Sequence, residues 1–523
     1  MATLAGLLKI GSMAESLGVY VPAMVGQKAL GLLRVLLFVN ILREAQAEYG
    51  LWGLAMMVFS LAAPVATLGA NHGLVRYASL YETRGQLLAF YRRVRWGCLV
   101  CAAAVTAVMF LGSGRITAWV FTSARSGGEI AYSRQLHACW AALANVLAGA
   151  LYFNMLALAA GMRAYRIASV IELLFSIAFT AVGAAILSAW PTATALLAGH
   201  LFCLVLSLGV GMALLERAIP AIDAQAHVPA QPVQGEVAGR IPQQDAPVDG
   251  ALRKVLGFGL VSMIGNMLWL AAQYVSFYLT NRRYSKADAG VFTVFMQLSQ
   301  MVLLVGNAAW AVIFTHVARR WESGQRREAM FTLETAFKVL SLALMSMTLA
   351  VYAAGPVWVR LLPERYRMGL SLLGGQLMFC QAVAHFSLVT VIARLRERPG
   401  LIALAAAAGA AANAALAAWW MPLYSYGPTG AAWAAGAGIY IGAGIVTAAY
   451  LLLARIRLHP STCLILAAPV LLVLPAWAGL AAWAVVIAAA VATNWFLSDD
   501  EKRLVRVSAG GIVGKFREAM PWR

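Results

Sequence analysis

Stretches of about 20 consecutive apolar residues recur along almost the whole chain, and no other feature limits its fold so sharply. A helix of that length crosses the hydrocarbon core of a bilayer. Lipid offers no hydrogen bonds, so the backbone of each crossing must pair within its own segment, and helices do this. About fourteen stretches qualify, centred near residues 30, 61, 103, 146, 179, 203, 267, 302, 343, 380, 410, 441, 469 and 488. Only 12% of residues are charged, against about 25% in soluble domains. The expected fold is therefore an all-α polytopic membrane protein. The last two stretches are interrupted by Pro469 and Pro475 and joined by a tight turn.

The formal charge is +19, but its distribution argues against nucleic-acid binding. The cations form short clusters between apolar stretches: Arg92/Arg93/Arg95, Arg319/Arg320/Arg326/Arg327, Arg394/Arg396/Arg398, Arg455/Arg457 and a basic tail. Clusters of this kind beside membrane helices mark cytoplasmic loops and meet anionic lipid. An even number of crossings places both termini on one side. The cationic excess predicts that this side is the cytoplasm, with the first crossing acting as an uncleaved insertion signal.

Residues 217–252 contain "HVPAQPVQGEVAGRIPQQDAPVDG", rich in Pro, Gln, Gly and Asp and without an apolar period. They are expected to form a flexible cytoplasmic linker. It divides a first lobe, residues 1–216 with helices 1–6, from a second, residues 253–455 with helices 7–12. Residues 456–498 hold two extra helices, and 499–523 form the basic cytoplasmic tail. The lobes carry a weak repeat. Glu48-Tyr-Gly50 and Asp288-Ala-Gly290 each open an apolar span, and each span leads to a basic loop ending in Gly-Gln, at Gly85-Gln86 and Gly324-Gln325. Six spans per lobe make the repeat parallel. This predicts two lobes around an axis along the membrane normal, with a cleft between them.

Lys28 and Arg34 lie within the first span. A cation at mid-membrane costs roughly 2.5–3.5 kcal/mol on insertion scales, so it generally lines a hydrated path or finds a partner. Six residues turn a helix by about 600°, leaving the two side chains about 120° apart. Both can still face one cavity from the inner side of a tilted helix. Glu172 is the one carboxylate near enough to a span centre to oppose them, and it lies close to the cytoplasmic end of its span. Buried cations exceeding buried anions suit a phosphate or pyrophosphate cargo, with Arg supplying a planar donor fork. Lys338 is expected to be structural, paired with Glu334 one turn earlier.

Asn71, His72 and Arg76 close the second span, flanked by Gly69 and Gly73, and are candidates for a cavity rim or gate. Asn266, Gln273, Gln297 and Gln300 are candidate glycan contacts in the second lobe. Most of them, like Asn307 and His385, are expected to hydrogen-bond between helices, and a minority to contact sugar hydroxyls. Pro64 is placed to kink its helix. Cys98 and Cys101 form a C-x-x-C without a second ligand pair, so no metal site is expected. No Gly-rich phosphate-binding loop is present, and no cofactor is expected.

The segment "GLLRVLLFVNILREAQAEYGLWGLAMMVFSLAAPVATLGANHGLVRY" resembles the opening of bacterial polysaccharide flippases, the Wzx-type branch of the MOP exporter superfamily. The match concentrates in residues 20–95. The resemblance implies two six-helix bundles forming a V around a cationic cavity. It implies movement of a polyprenyl-pyrophosphate-linked oligosaccharide from the cytoplasmic to the outer leaflet of the bacterial inner membrane by alternating access. Polysaccharide polymerase or export machinery are then expected partners. Lys28-Ala-Leu-Gly-Leu-Leu-Arg34 is similar to the paired basic residues in the first span of the related lipid II flippases, which assigns Lys28 and Arg34 to the pyrophosphate. The basic residue of the second span and the cavity arginine of the second lobe in those relatives have no clear counterpart here. Two rivals remain. A small-molecule antiporter of the same superfamily requires membrane carboxylates. A glycosyltransferase or polymerase requires a large external loop, and the strongest candidate, around Arg360, Glu364, Arg365 and Arg367, is short.

Overall fold

The computed structural model describes residues 13–505, apart from 83, 124–129, 163, 227–249, 323, 397, 399, 457 and 504. Described residues are helix, turn or loop, and no strand occurs among them. The main helices are α1 (Met13–Ile41), α2 (Gln46–Ala66), α3 (Ala70–Glu82), α4 (Leu87–Leu111), α5 (Tyr132–Gly161), α6 (Tyr165–Ala189) and α7 (Ala193–Ala226). The second half holds α8 (Ala251–Arg283), α9 (Lys286–Glu322), α10 (Arg326–Ala353), α11 (Leu370–Leu395), α12 (Gly400–Trp420) and α13 (Gly427–Leu453). The chain ends in α14 (Pro460–Ala467) and α15 (Ala476–Ala492).

Twelve described helices are long and apolar enough to cross a membrane, rather than fourteen. The C-terminal pair consists of two shorter apolar helices, Pro460–Val473 and Ala476–Ala492. Proline is the physical reason: Pro469 opens a 3₁₀ segment within the first, and Pro475 caps the second. Proline has no N–H to donate and cannot continue an α-helical ladder.

The expected linker also starts late. Helix α7 continues through Pro220 to Ala226, because Ala218, Ile219 and Ile222 extend its buried face against Leu87 and Phe90. Residues 227–249, the remainder of that linker, lie outside the described residues, as does the tail from 506. The Arg92/Arg93/Arg95 cluster sits on the first turns of α4 rather than in a loop. There Arg95 Nη1 pairs with Glu216 Oε1 at 2.7 Å.

Within the first lobe α6 packs on α1 and α7, and α5 packs on α2 and α7. Within the second, α13 packs on α11 and α12, α12 on α8, and α9 on α11. The lobes meet through α2 and α1 against α9, and through α3 against α8. The repeat is visible in this seam. Helices α2 and α3 together cover 46–82, and α9 covers 286–322, the same length at an offset of about 240. At about 1.5 Å per residue each reaches some 55 Å, well beyond a hydrocarbon core of about 30 Å.

The repeated glycines are what bring the two copies together. A Cβ on Gly290 would stand 2.7 Å from Gln46 O and 3.2 Å from Gly50 N, and one on Gly50 would meet the backbone of Lys286 and Gly290. Only glycine permits that approach. The lobes touch again at the end carrying the basic clusters, hereafter the basic end. There a Cβ on Gly259 would lie 2.5 Å from Gly69 O. The first copy is broken between these contacts: Leu68 and Gly69 adopt positive φ of 49° and 69°. The second copy runs through the equivalent region as one helix.

Candidate functional site

Helix α1 places its cations against α6. Ser176 Oγ donates to Gln27 O at 3.4 Å, Phe38 meets Phe179 edge to face at 5.6 Å, and a Cβ on Gly183 would strike Phe38. This packing fixes the rotation of α1. Arg34 is thereby carried over the Phe179 ring, 5.0 Å from its centroid. Such a cation over an aromatic face contributes up to about 2 kcal/mol when desolvated.

Arg34 is half-buried. The charged and polarisable groups within its electrostatic reach are Tyr49, Lys28 and His200. No carboxylate among the described residues pairs with it. His200 lies edge-on to Phe179, Phe175 and Phe59 at 4.8, 5.3 and 5.5 Å. Asn145 donates through Nδ2 to Ala141 O and Leu197 O, so its Oδ1 is left to accept from His200 Nδ1, 2.7 Å away. Arg34 therefore stands on a rigid, buried, aromatic wall.

On its other side Arg34 approaches the seam between the lobes. The Tyr49 hydroxyl donates across that seam to Gln297 Oε1 at 3.0 Å. A second crossing bond runs from the Tyr274 hydroxyl to Ser60 Oγ at 3.2 Å. Of the second-lobe amides singled out from the sequence, only Gln297 joins this group. Gln273 and Gln300 are half-buried, Asn266 is exposed, and none of the three bonds a described residue. His385 is interior to the second lobe. Thr348 Oγ1 donates to Gln381 Oε1 at 2.9 Å, and Gln381 Nε2 lies 2.9 Å from His385 Nε2.

Lys28 is also half-buried. Glu172 on α6 is close enough for the two groups to interact, although no ion pair within 4.0 Å joins them among the described residues. Lys338 brings a correction. Its partner is Glu501, whose carboxylate oxygens lie 2.8 and 3.1 Å from Nζ, and not Glu334. A residue 163 positions away reaches it because the segment after α15 folds back on α10, an arrangement that helical spacing cannot reveal.

The basic end of the seam carries the expected rim. Asn71, His72 and Arg76 follow the break at Leu68-Gly69. Arg76 lies over Phe258 of the second lobe at 4.6 Å from the ring centroid. Gln27 Oε1, Asn71 Oδ1 and His72 Nε2 are buried without a hydrogen-bond partner. Buried polar atoms are seldom left so, and Asn71 and His72, neighbours in sequence beside the break at Leu68-Gly69, leave two of them at the basic end of the seam. Sequence reasoning missed Arg394. It sits in the last turn of α11 and is within electrostatic reach of His72 across the seam. In the sequence it is one of three alternate arginines in a basic cluster, with nothing to separate it from its neighbours.

The arrangement of two lobes, a glycine-lined seam and polar groups on both faces matches known structures. An inward-facing multidrug-resistance MATE transporter of the MOP superfamily superposes with a TM-score of 0.61 at 12% identity, covering 84% of this chain and all of that one. The fold is that of MOP-superfamily transporters. The outward-facing form of such a MATE transporter gives 0.56 at 12% identity, over 86% of this chain and 97% of that one. A MOP-superfamily transporter from Pyrococcus furiosus, described as having a binding pocket of reversed polarity, gives 0.57 at 13% identity, over 87% and 97%. No protein-family model matches the chain, and no curated protein matches its sequence. In MOP terms, α1, α2–α3, α8 and α9 form the seam, and Arg34, Tyr49 and Gln297 lie on it.

Proposed function

We propose that this chain is a flippase moving a polyprenyl-pyrophosphate-linked oligosaccharide from the cytoplasmic to the outer leaflet for cell-surface polysaccharide synthesis. The observation that carries the reading is Arg34: a half-buried guanidinium within a membrane span, without a carboxylate partner, beside the seam. Its planar fork suits a pyrophosphate, and the aromatic wall of Phe179 and His200 holds it in place. Lys28 supplies a second cation one to two turns away, tempered by Glu172. The glycan occupies the hydrated cleft bounded by Gln297 and the rim at Asn71, His72, Arg76 and Arg394, while the polyprenyl tail stays in lipid. The glycine contacts at Gly50/Gly290 and Gly69/Gly259 close and open in alternation, and the basic end faces the cytoplasm. Anionic lipids meet the basic clusters there.

The test is leaflet translocation of a pyrophosphate-linked glycolipid in proteoliposomes, with protein levels matched. Arg34→Ala is expected to lower the rate at least about 10-fold, consistent with loss of a charge-assisted pair of about 1.5–3 kcal/mol. Arg34→Lys retains part of it. Normal translocation by both Arg34→Ala and Lys28→Ala refutes the reading.

One observation favours a second reading, a small-molecule antiporter. Glu172 beside Lys28 is a membrane carboxylate of the kind that ion-coupled export needs. Under that reading Glu172→Gln abolishes gradient-driven efflux of cationic drugs. Under the flippase reading the chain shows no such efflux, and Glu172→Gln leaves glycolipid translocation active.

A further inference from the structure

We propose that the second lobe carries a separate binding site for an organic diphosphate, in the cavity at its basic end. The cavity has a volume of about 970 Å³ and lies between the ends of α9, α10, α11 and α13. Arg326, Arg327, Arg396 and Arg398 line it together with Trp321 and Tyr450, and no carboxylate is among its described lining residues, the nearest described in sequence being Glu328 in the first turn of α10. It lies inside one lobe and shares no residue with the seam group of Arg34, Tyr49 and Gln297.

Four features make it a site rather than a solvated basic face. The first is convergence: arginines from the first turn of α10 and from the turn after α11, separated by about 70 residues of sequence, line one hollow. Four like charges sharing a concavity favour a polyanion, because low-dielectric walls focus their field. The second is preorganisation. Arg326 lies over the Trp321 ring at 5.4 Å from its centroid, which fixes the guanidinium while leaving its N–H fork open. Arg320 Nη1 donates to Thr332 Oγ1 and ties α9 to α10 beside the cavity. The third is the start of α10, whose first turn has no side-chain cap. Its N–H groups and helix dipole favour an anion at that position.

The fourth is an aromatic wall: Tyr450, 7% exposed, lines the cavity together with Trp321 and offers an apolar ring beside the arginines. The volume exceeds what a lone phosphate fills and falls at the upper end of small-molecule pockets, about 300–1,000 Å³. A diphosphate joined to a further group satisfies both the arginines and the Trp321/Tyr450 wall. A second cavity, in the first lobe, offers a contrast. It holds about 170 Å³, is lined mostly by apolar side chains such as Leu74, Val94 and Met155, and its one cation, Arg95, is already paired with Glu216.

The diphosphate chemistry has two sources: a soluble organic diphosphate, or a diphosphate lipid headgroup in the adjoining leaflet. The test measures saturable binding to the purified full chain in zwitterionic nanodiscs, by calorimetry. One arm uses inorganic pyrophosphate and UDP, and the other undecaprenyl pyrophosphate incorporated into the nanodisc. Binding in either arm is expected, at least 10-fold weaker in Arg326→Gln/Arg396→Gln, two exposed positions whose change leaves the fold intact. All measurements are made in a Lys28→Ala/Arg34→Ala background, so that pyrophosphate held at the seam does not contribute and failure of the flippase reading leaves this site standing. Signal in the first arm assigns a soluble ligand, and signal in the second alone assigns a lipid one. Absence of saturable binding in both arms, equal competition by sulfate at matched ionic strength, or undiminished binding in the double variant overturns the proposal.

Discussion

Removing Glu501 is expected to destabilise the second lobe far more than its place near the chain's end suggests. The Glu501 and Lys338 side chains are 5% and 2% exposed. The carboxylate receives both hydrogen bonds from Nζ, a third from Thr335 Oγ1 at 3.3 Å, and a fourth from Ser498 N at 2.8 Å. Glu501 N donates in return to Ser498 Oγ at 3.3 Å, completing a reciprocal cap. Glu501→Ala leaves the buried Lys338 ammonium with only Glu334, within electrostatic reach one turn earlier, and costs up to about 3–5 kcal/mol. Lys338→Met/Glu501→Leu removes both charges while keeping similar volume, and is expected to lie within about 1 kcal/mol of the wild type. Apparent Tm values in detergent, measured for Lys338→Met, Glu501→Leu and the double variant, close the cycle.

Acid provides an independent check on the same pair. Burial pushes the Glu501 carboxyl up, but the Lys338 ammonium and the Ser498 groups outweigh it and hold it below the usual carboxylate range. A group depressed by folding stabilises above its unfolded pKa, about 4.3 for Glu, and loses that contribution as pH falls through the folded value. The wild type should therefore lose its Tm advantage over Glu501→Ala below about pH 4. A single variant as stable as the wild type, or a double variant that loses the sum of both singles, refutes the reasoning.

Further outcomes follow from the seam. Gly50→Ala is expected to lower thermal stability, because its methyl meets the Lys286 backbone, whereas Gly257→Ala, facing open space, is neutral or mildly stabilising; melting curves of the two decide it. Tyr49→Phe removes the crossing bond to Gln297 at a cost of about 1 kcal/mol, and is expected to change transport rate with little change in expression. Asn145→Ala leaves His200 Nδ1 without its partner and removes a second bond to the Leu197 carbonyl. It should cost about 1–3 kcal/mol, read as a lower Tm, while Ser188→Ala, whose exposed hydroxyl bonds only Ala184 O of its own helix, is near neutral.

Much of the architecture was legible in the chain because its causes are local. Apolar run length sets which helices can cross, and the Glu48-Tyr-Gly50/Asp288-Ala-Gly290 echo marked the two copies that meet at the seam. The shortfall from fourteen crossings to twelve came from proline, whose effect on a helix of marginal length depends on how the flanking turns pack. The linker began late because Ala218, Ile219 and Ile222 find a buried surface that no window of hydropathy contains.

The sequence by itself determined the membrane class, the helix order, the parallel repeat and the presence of cations inside the first span. All of these depend on composition, period and spacing within one segment. Only the tertiary structure decided that Lys28 faces Glu172 while Arg34 lies over Phe179, that Lys338 answers to Glu501, and that Arg394 joins the rim with His72. Those pairings link residues far apart in the chain. They are fixed by how helices rotate and cross when their small residues meet, a property of the assembled bundle that no single segment encodes.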